Sequence, residues 1–98
     1  MIHARKDYDR IQDPALHDLS LLSEGSTPIA EDEPVFLVRA KDQAFIDVLL
    51  AWNDSHARAD GDPNMCLAVA AHLGKAIAWR NRNGTKVADA PADTLKQP

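Results

Sequence analysis

Basic side chains cluster near the C-terminal end of the last predicted helix, where they could bind an anion. No Asp or Glu occurs between Pro63 and Ala88. The cationic residues of that interval, together with its tryptophan, are Lys75, Trp79, Arg80, Arg82 and Lys86. Cations beside an exposed indole can hold a phosphate and stack a base, and they can also dock an acidic protein surface. The alternative is that the cations only complement the helix macrodipole while Trp79 lies in the core.

A second candidate binding site lies at the turn that joins a predicted strand to a predicted helix. It consists of Arg39, Lys41 and Asp42. The guanidinium of Arg39 could form paired hydrogen bonds with a carboxylate or a phosphate, because its donors form a planar fork. The alternative is a local salt bridge or a helix cap without any ligand.

The residues that most often perform catalysis or hold metals form no convincing set. His56 and His72 fall on neighbouring predicted helices, but zinc needs three or four ligands, so we expect histidines bonded to carbonyl groups instead. Cys66 is the only cysteine, and no base can be assigned to it. Nucleophile-elbow and phosphate-loop motifs are missing. We predict no catalytic residues, no metal site, no cofactor and no enzymatic activity; a small metal-assisted hydrolase is the least favoured alternative.

Length and charge narrow the class of protein. The chain has 98 residues and a formal net charge of −4, which argues against general binding of duplex DNA. No apolar run reaches the length of a membrane span, and the N-terminal sequence MIHARKDYDR is too charged for a signal peptide. We therefore expect a cytoplasmic protein with no membrane partner.

The periodicity predicts an α+β fold that is mainly helical. Residues 1–30 form an arm or a short helix that begins with Asp13 and Pro14. The sequence PVFLVRA predicts a short strand from Pro34, and the acids before it discourage edge pairing. No second strand is evident, although residues 85–89 are a candidate.

Two helices follow the predicted strand and form an antiparallel helical hairpin. Asp42 is the expected cap of the first helix, whose apolar face comprises Phe45, Val48, Leu49, Trp52 and His56. The second helix is bounded by Asp62 and Pro63 at one end and by Gly84 at the other. Strand and hairpin make a core over residues 31–84, and residues 85–98 are predicted to be a disordered tail.

The second helix is apolar around most of its circumference. One stripe contains Met65, Val69, His72, Leu73, Ala76 and Ile77. A second stripe, on a different side, contains Leu67, Ala71, Gly74 and Ala78. One neighbouring helix cannot cover both stripes, so we predict a homodimer through the second one. The alternative is a monomer in which residues 14–22 cover it.

Two segments resemble phage proteins. PIAEDEPVFLVRAKDQAFIDVLLAW and HLGKAIAWRNRNGTKVAD resemble small uncharacterised phage and prophage proteins over about residues 28–90. This resemblance implies a non-enzymatic accessory or anti-defence factor that occludes a host protein in the bacterial cytoplasm. LAVAAHLGKAIAW is similar to the helical hairpin of phage proteins that sequester cyclic-nucleotide defence signals. The alternative function is a sponge for a small anionic signalling nucleotide, with Arg39, Trp79, Arg80 and Arg82 at an oligomer interface.

Overall fold

A computed structural model describes residues 1–91, which are mainly helical with one small sheet. The strands are β1 (Ile2–His3) and β2 (Pro34–Val35), and the helices are α1 (Phe45–Arg58) and α2 (Pro63–Asn83). Three short 3-10 helices span Lys6–Tyr8, Pro14–Leu16 and Leu19–Leu21. The chain divides into two compact units. The N-terminal unit contains Met1–Leu37 and the chain from Asp89, and the helical unit contains Val38–Ala88.

The sheet of the N-terminal unit is shorter than predicted. Only Pro34 and Val35 of the expected PVFLVRA strand pair, and their partner is β1, in parallel, with Ile2 opposite Pro34. The sequence reading missed β1 altogether, because two residues are too short to show a period of two. Pro34 begins its strand, where its missing N–H does no harm.

The predicted helix of residues 14–22 is replaced by two separate 3-10 turns. Asp13 caps the first turn through Ala15 N, and Pro14 is its first residue, as predicted. Asp18 then caps a second turn by accepting from Ser20 N. Asx residues compete with helix formation by bonding to the nearby backbone, so Asp18 starts a new turn instead of continuing the first.

Helix α1 starts later than the sequence suggested. The predicted cap, Asp42, is wrong: the helix begins at Phe45 with Ala44 as its N-cap. The Asp42 carboxylate instead accepts a hydrogen bond from Ala44 N at 2.8 Å, which closes the turn before the helix. Helix α1 ends at Arg58.

Both predicted ends of α2 are confirmed. Asp62 is the N-cap and accepts from Asn64 N at 2.9 Å, and Pro63 is the first helical residue. Gly84 is the C-cap at φ 79°, a conformation that glycine adopts without a side-chain penalty. The ends could be predicted because each signal acts within one turn of its own position.

The two helices contact each other along their half-buried sides. The Phe45 and His72 rings lie 6.3 Å apart, and Asn53 donates to Cys66 O at 3.3 Å. His56 Nε2 donates to Asp62 O at 3.3 Å, as a carbonyl partner requires an N–H. The His56 ring also stacks on Trp52, with ring centroids 4.6 Å apart.

The helical unit is closed by its own two ends. Gln43 N donates to Lys86 O at 3.0 Å, and Lys86 N donates to Lys41 O at 2.8 Å. This gives an isolated parallel bridge between Asp42 and Lys86. The predicted tail is therefore wrong at its start, because Lys86 is held by the backbone of another segment. Residues 92–98 of that predicted tail lie outside the described residues.

The core is small. Within residues 1–91, the buried apolar side chains are Ala15, Phe45 and Ala76. Many large apolar side chains are exposed, including Leu50, Trp52 and Leu67, the last with 67% of its surface accessible. Burial of apolar surface stabilises a fold by roughly 25 cal/mol per Å². The exposed apolar side chains therefore contribute little to the free energy of folding of the single chain.

Candidate binding surface at the end of α2

The C-terminal turn of α2 fixes the backbone around the basic cluster. Gly84 N donates to Arg80 O at 2.7 Å, and Asn83 Nδ2 donates to Trp79 O at 2.9 Å. These bonds satisfy carbonyl groups that a helix end would otherwise leave without partners. The turn that carries Trp79, Arg80 and Arg82 is thus well defined.

The structure brings the two predicted binding sites to one end of the helical unit. The backbone bonds of Lys86 to Lys41 and Gln43 place the segment after α2 beside the turn before α1. Arg39 O accepts from Asp42 N at 3.0 Å within that turn. The sequence alone does not predict this juxtaposition, because it depends on pairing between segments far apart in the chain.

A shallow groove lies at this end of the unit. Its volume is about 370 Å³, and Ile46, Ile77, Arg80, Asn81, Gly84 and Thr85 line it. Ile46 and Ile77 provide apolar walls, whereas Arg80, Asn81 and Thr85 provide polar groups. Apolar walls with a few polar groups are typical of ligand sites. Of these six residues, only Arg80 is among the site residues predicted from the sequence.

Most cations of the helical unit form no ion pair with a described residue. In the helical unit, Arg58 forms an ion pair with Asp54 at 3.1 Å. Cationic side chains of this unit that form no ion pair with any described residue are Arg39, Lys41, Lys75, Arg80 and Arg82. Arg39 and Arg82 are exposed, and Arg80 is half-buried. Arg39 and Arg82 therefore present positive charge to solvent, which can attract anionic groups.

Asp42 and Trp79 differ in environment from the cationic site residues. Asp42 acts locally, since its carboxylate bonds to Ala44 N. Among the described residues it forms neither the salt bridge nor the helix cap that the alternative expected. Trp79 is 36% exposed, so it is not a core residue as the other alternative had it. We refer to Arg39, Lys41, Trp79, Arg80, Arg82 and the groove as the basic surface.

The predicted dimer stripe is exposed in the single chain. Leu67, Ala71, Gly74 and Ala78 are all exposed. A Cβ added at Gly74 would meet no atom within 4 Å. Small residues leave room for a second helix backbone to approach closely, so the stripe is open to a partner.

The two histidines of the helical unit have different neighbours. His56 bonds to a carbonyl and stacks on Trp52, whereas His72 lies against Phe45. Among residues 1–91, no group of three or more His, Cys, Asp and Glu side chains is arranged to hold a metal ion.

The titratable groups with shifted pKa values all lie in the N-terminal unit. Hydrogen bonds from Ile29 N at 2.6 Å and Ala15 N at 3.0 Å lower the pKa of Asp13. The paired hydrogen bonds from Arg5 lower the pKa of Asp7, and the hydroxyl of Ser20 does the same for the pKa of Asp18. His3 is buried, and its Nε2 donates to Ile11 O at 2.6 Å, while its Nδ1 has no hydrogen-bond partner.

Comparison of the chain with protein-family models, with curated proteins and with solved structures gave no match. The resemblance to phage proteins therefore stays a prediction. None of the helices within residues 1–91 is both long and apolar enough to cross a lipid bilayer.

Proposed function

We propose that the protein is a non-enzymatic binding protein whose basic surface docks onto an acidic surface of another protein. The observation that carries this proposal is the group of cations at one end of the helical unit with no acidic partner among the described residues. Cations that form no ion pair attract an acidic protein over a distance, and the neighbouring apolar groups add contact area once the two proteins meet. From its resemblance to phage accessory proteins, we propose that the partner is a host protein in the bacterial cytoplasm.

The scaffold that we propose for this surface is an antiparallel helical hairpin. Phe45, near the start of α1, lies by His72, whereas Asn53, further along α1, reaches the earlier Cys66. His56, near the end of α1, bonds to Asp62 at the start of α2. Contacts that move backward along α2 as they move forward along α1 support an antiparallel arrangement.

We further propose that two hairpins pair through the stripe of Leu67, Ala71, Gly74 and Ala78. Closed twofold dimers are the commonest assemblies of a single chain, and the exposed stripe offers a smooth surface for one. Gly74→Glu would place a charge in this interface, and its Cβ would meet no described atom of a neighbouring element within 4 Å. Native mass measurement should show loss of the dimer in Gly74→Glu but not in the control Ser55→Glu, which adds a charge to exposed α1.

The docking proposal is tested by affinity purification from a bacterial lysate with a matched pair of variants. Arg80→Ala combined with Arg82→Ala removes two unpaired cations, so the co-purified protein should be lost. Arg58→Ala removes a cation that is already paired with Asp54, and the same protein should be retained. If both variants retain or both lose the protein, the basic surface is not the docking site.

A second candidate function is a sponge for a small anionic nucleotide. The exposure of Trp79 favours it, because an accessible indole beside Arg80 could stack a base while the guanidinium holds a phosphate. Micromolar cyclic nucleotide should then raise the melting temperature, because a ligand that binds only the folded state stabilises it. Arg80→Ala should abolish that rise, and an unchanged melting temperature in the wild-type chain argues against this function.

A further inference from the structure

We infer that the groove at the end of α2 also receives residues 31–37 of a second copy of this chain. This inference rests on the proposed basic surface and names one occupant for it. The same site would then be closed by self-association and opened when an acidic partner competes for it.

Residues 31–37 carry acidic groups and an aromatic ring, which the residues that line the groove do not provide. Glu31, Asp32 and Glu33 are exposed, and none of them forms an ion pair within the described residues. Phe36 follows them closely with 70% of its surface exposed, and Leu37 is also exposed. An acidic run that leads into an exposed aromatic ring is an unusual use of one of only two phenylalanines in the chain.

The segment and the groove are complementary in both charge and polarity. The three carboxylates match the positive charge of Arg80, which lines the groove, and that of Arg39 and Arg82 in the same unit. None of these three cations forms an ion pair with a described residue. The Phe36 ring matches the apolar walls formed by Ile46 and Ile77. A buried aromatic anchor surrounded by charge pairs is the arrangement that dominates the energy of many interfaces.

A backbone constraint keeps the segment presented for contact. Ile2 N donates to Glu33 O at 2.9 Å, and Pro34 and Val35 pair with β1. Residues on both sides of this pairing are thereby held in place, which lowers the entropy lost when they bind. The short sheet thus fixes the backbone between the acidic residues and Phe36.

A second copy is the occupant favoured by symmetry. Each chain carries one segment and one groove, so two chains can exchange segments reciprocally about a twofold axis. Reciprocal exchange forms two contacts at once, and the second contact benefits from a high effective concentration. It also leaves no open groove that would propagate into a filament.

The test is a dissociation measurement on the full chain and two single variants. Phe36→Ala removes the anchor, and Arg80→Glu reverses the charge of the groove. Analytical ultracentrifugation should show each variant dimerising at least about tenfold more weakly than the wild type, as expected for loss of an interface anchor. Circular dichroism and melting curves establish that each variant is folded; Phe36 is exposed, so its removal leaves the core intact.

Mixing the two variants makes the test independent of folding. Phe36→Ala retains an intact groove, and Arg80→Glu retains an intact segment, so a mixed pair regains one complete contact. Heterodimers should therefore exceed either homodimer in native mass spectra. The double variant Glu33→Arg with Arg80→Glu should restore dimerisation by reversing both charges.

Three outcomes would overturn the inference. One is a wild-type chain that stays monomeric at every concentration reached. Another is a dimer that Phe36→Ala and Arg80→Glu leave unchanged while Gly74→Glu abolishes it, which assigns dimerisation to the α2 stripe alone. The last is a mixture without excess heterodimer. In each case the lysate partner lost on Arg80→Ala with Arg82→Ala would still uphold the proposed function, so the two failures are distinguishable.

Discussion

The N-terminal unit and the helical unit handle their charges in opposite ways. Arg5 pairs with Asp7 at 3.0 Å and donates to Asp89 O, and Lys6 lies 3.8 Å from Asp9. In the helical unit, Arg58 pairs with Asp54, whereas Arg39, Lys41, Lys75, Arg80 and Arg82 form no ion pair with any described residue. Arg5 and Lys6 thus form local ion pairs in the N-terminal unit, whereas most cations of the helical unit form none with the described residues.

The two units also differ in their numbers of basic and acidic residues. Residues 1–37 contain three Lys or Arg and eight Asp or Glu, whereas residues 38–88 contain seven and five. A cation that already bonds to a carboxylate or carbonyl stabilises the fold, although modestly at a surface. A cation without such bonds contributes little to folding, so its removal should affect binding alone.

The largest expected effect is in the N-terminal unit, where His3→Ala removes a buried ring. His3 is 3% exposed, bonds to Ile11 O and lies edge-on to Tyr8. We expect a loss of about 2–3 kcal/mol, from the cavity and from the carbonyl left without its donor. Hydrogen exchange should show loss of protection in residues 1–37, while the control His17→Ala, at an exposed position, should change little. Equal effects of the two variants would contradict the structural role given to His3.

The next largest effect is in the helical unit, where Gly61→Ala would collide with a stacked ring. A Cβ at Gly61 would overlap the His56 imidazole, which stacks on Trp52. We expect destabilisation of about 1–2 kcal/mol by denaturant unfolding, with altered Trp fluorescence, because the ring must leave its position. The control Gly74→Ala meets no atom and should instead stabilise α2 by up to about 1 kcal/mol. A Gly61→Ala chain as stable as the wild type would show that the His56 ring moves freely.

A smaller effect is the contribution of Asp13 to stability in acid. Its pKa is lowered from the usual 3.8 by hydrogen bonds from Ile29 N and Ala15 N. A carboxylate with a lowered folded pKa stabilises the fold above its unfolded pKa, and the contribution is lost as the pH falls through the folded value. Acidification below about pH 4 should therefore destabilise the N-terminal unit through this group. Asp13→Asn should reduce this acid dependence, and an unchanged acid limb in urea unfolding would contradict the assignment.

The smallest expected effect sharpens the comparison most. Arg80→Ala with Arg82→Ala should alter the free energy of unfolding by less than about 0.5 kcal/mol, because neither side chain forms an ion pair with a described residue. The same pair of changes should abolish partner binding. Arg5→Ala should do the reverse, since Arg5 bonds to Asp7 and Asp89 and lies over the Tyr8 ring. Stability losses of equal size from both changes would erase the distinction between the two units.

Local signals were the part of the fold that the sequence predicted well. Asp62, Pro63 and Gly84 act on the backbone within a turn, so the ends of α2 were correct. Asp42 has the same side chain but caps a preceding turn, and a one-dimensional pattern cannot distinguish those two uses. Strand β1 was missed because its pairing with β2 is set by tertiary contact, with only two residues on each side.

The candidate site was predictable in its charges but not in its shape. The absence of acids between Pro63 and Ala88 identified Arg80 and Arg82 directly. The groove also needs Ile46, on the other helix, and Thr85, after α2. Neither residue type suggests a site, and their proximity depends on the packing of α1 against α2 and on the bonds of Lys86.

The bridge between Asp42 and Lys86 places the first and last turns of the helical unit side by side. A chain whose ends meet can be cut elsewhere and rejoined, since the closure does not depend on where synthesis starts. Residues 38–88 should thus be suited to circular permutation, with a short glycine linker from Ala88 back to Val38. Such a permutant would carry the basic surface without the acidic N-terminal unit. The binding properties of the basic surface could then be measured separately.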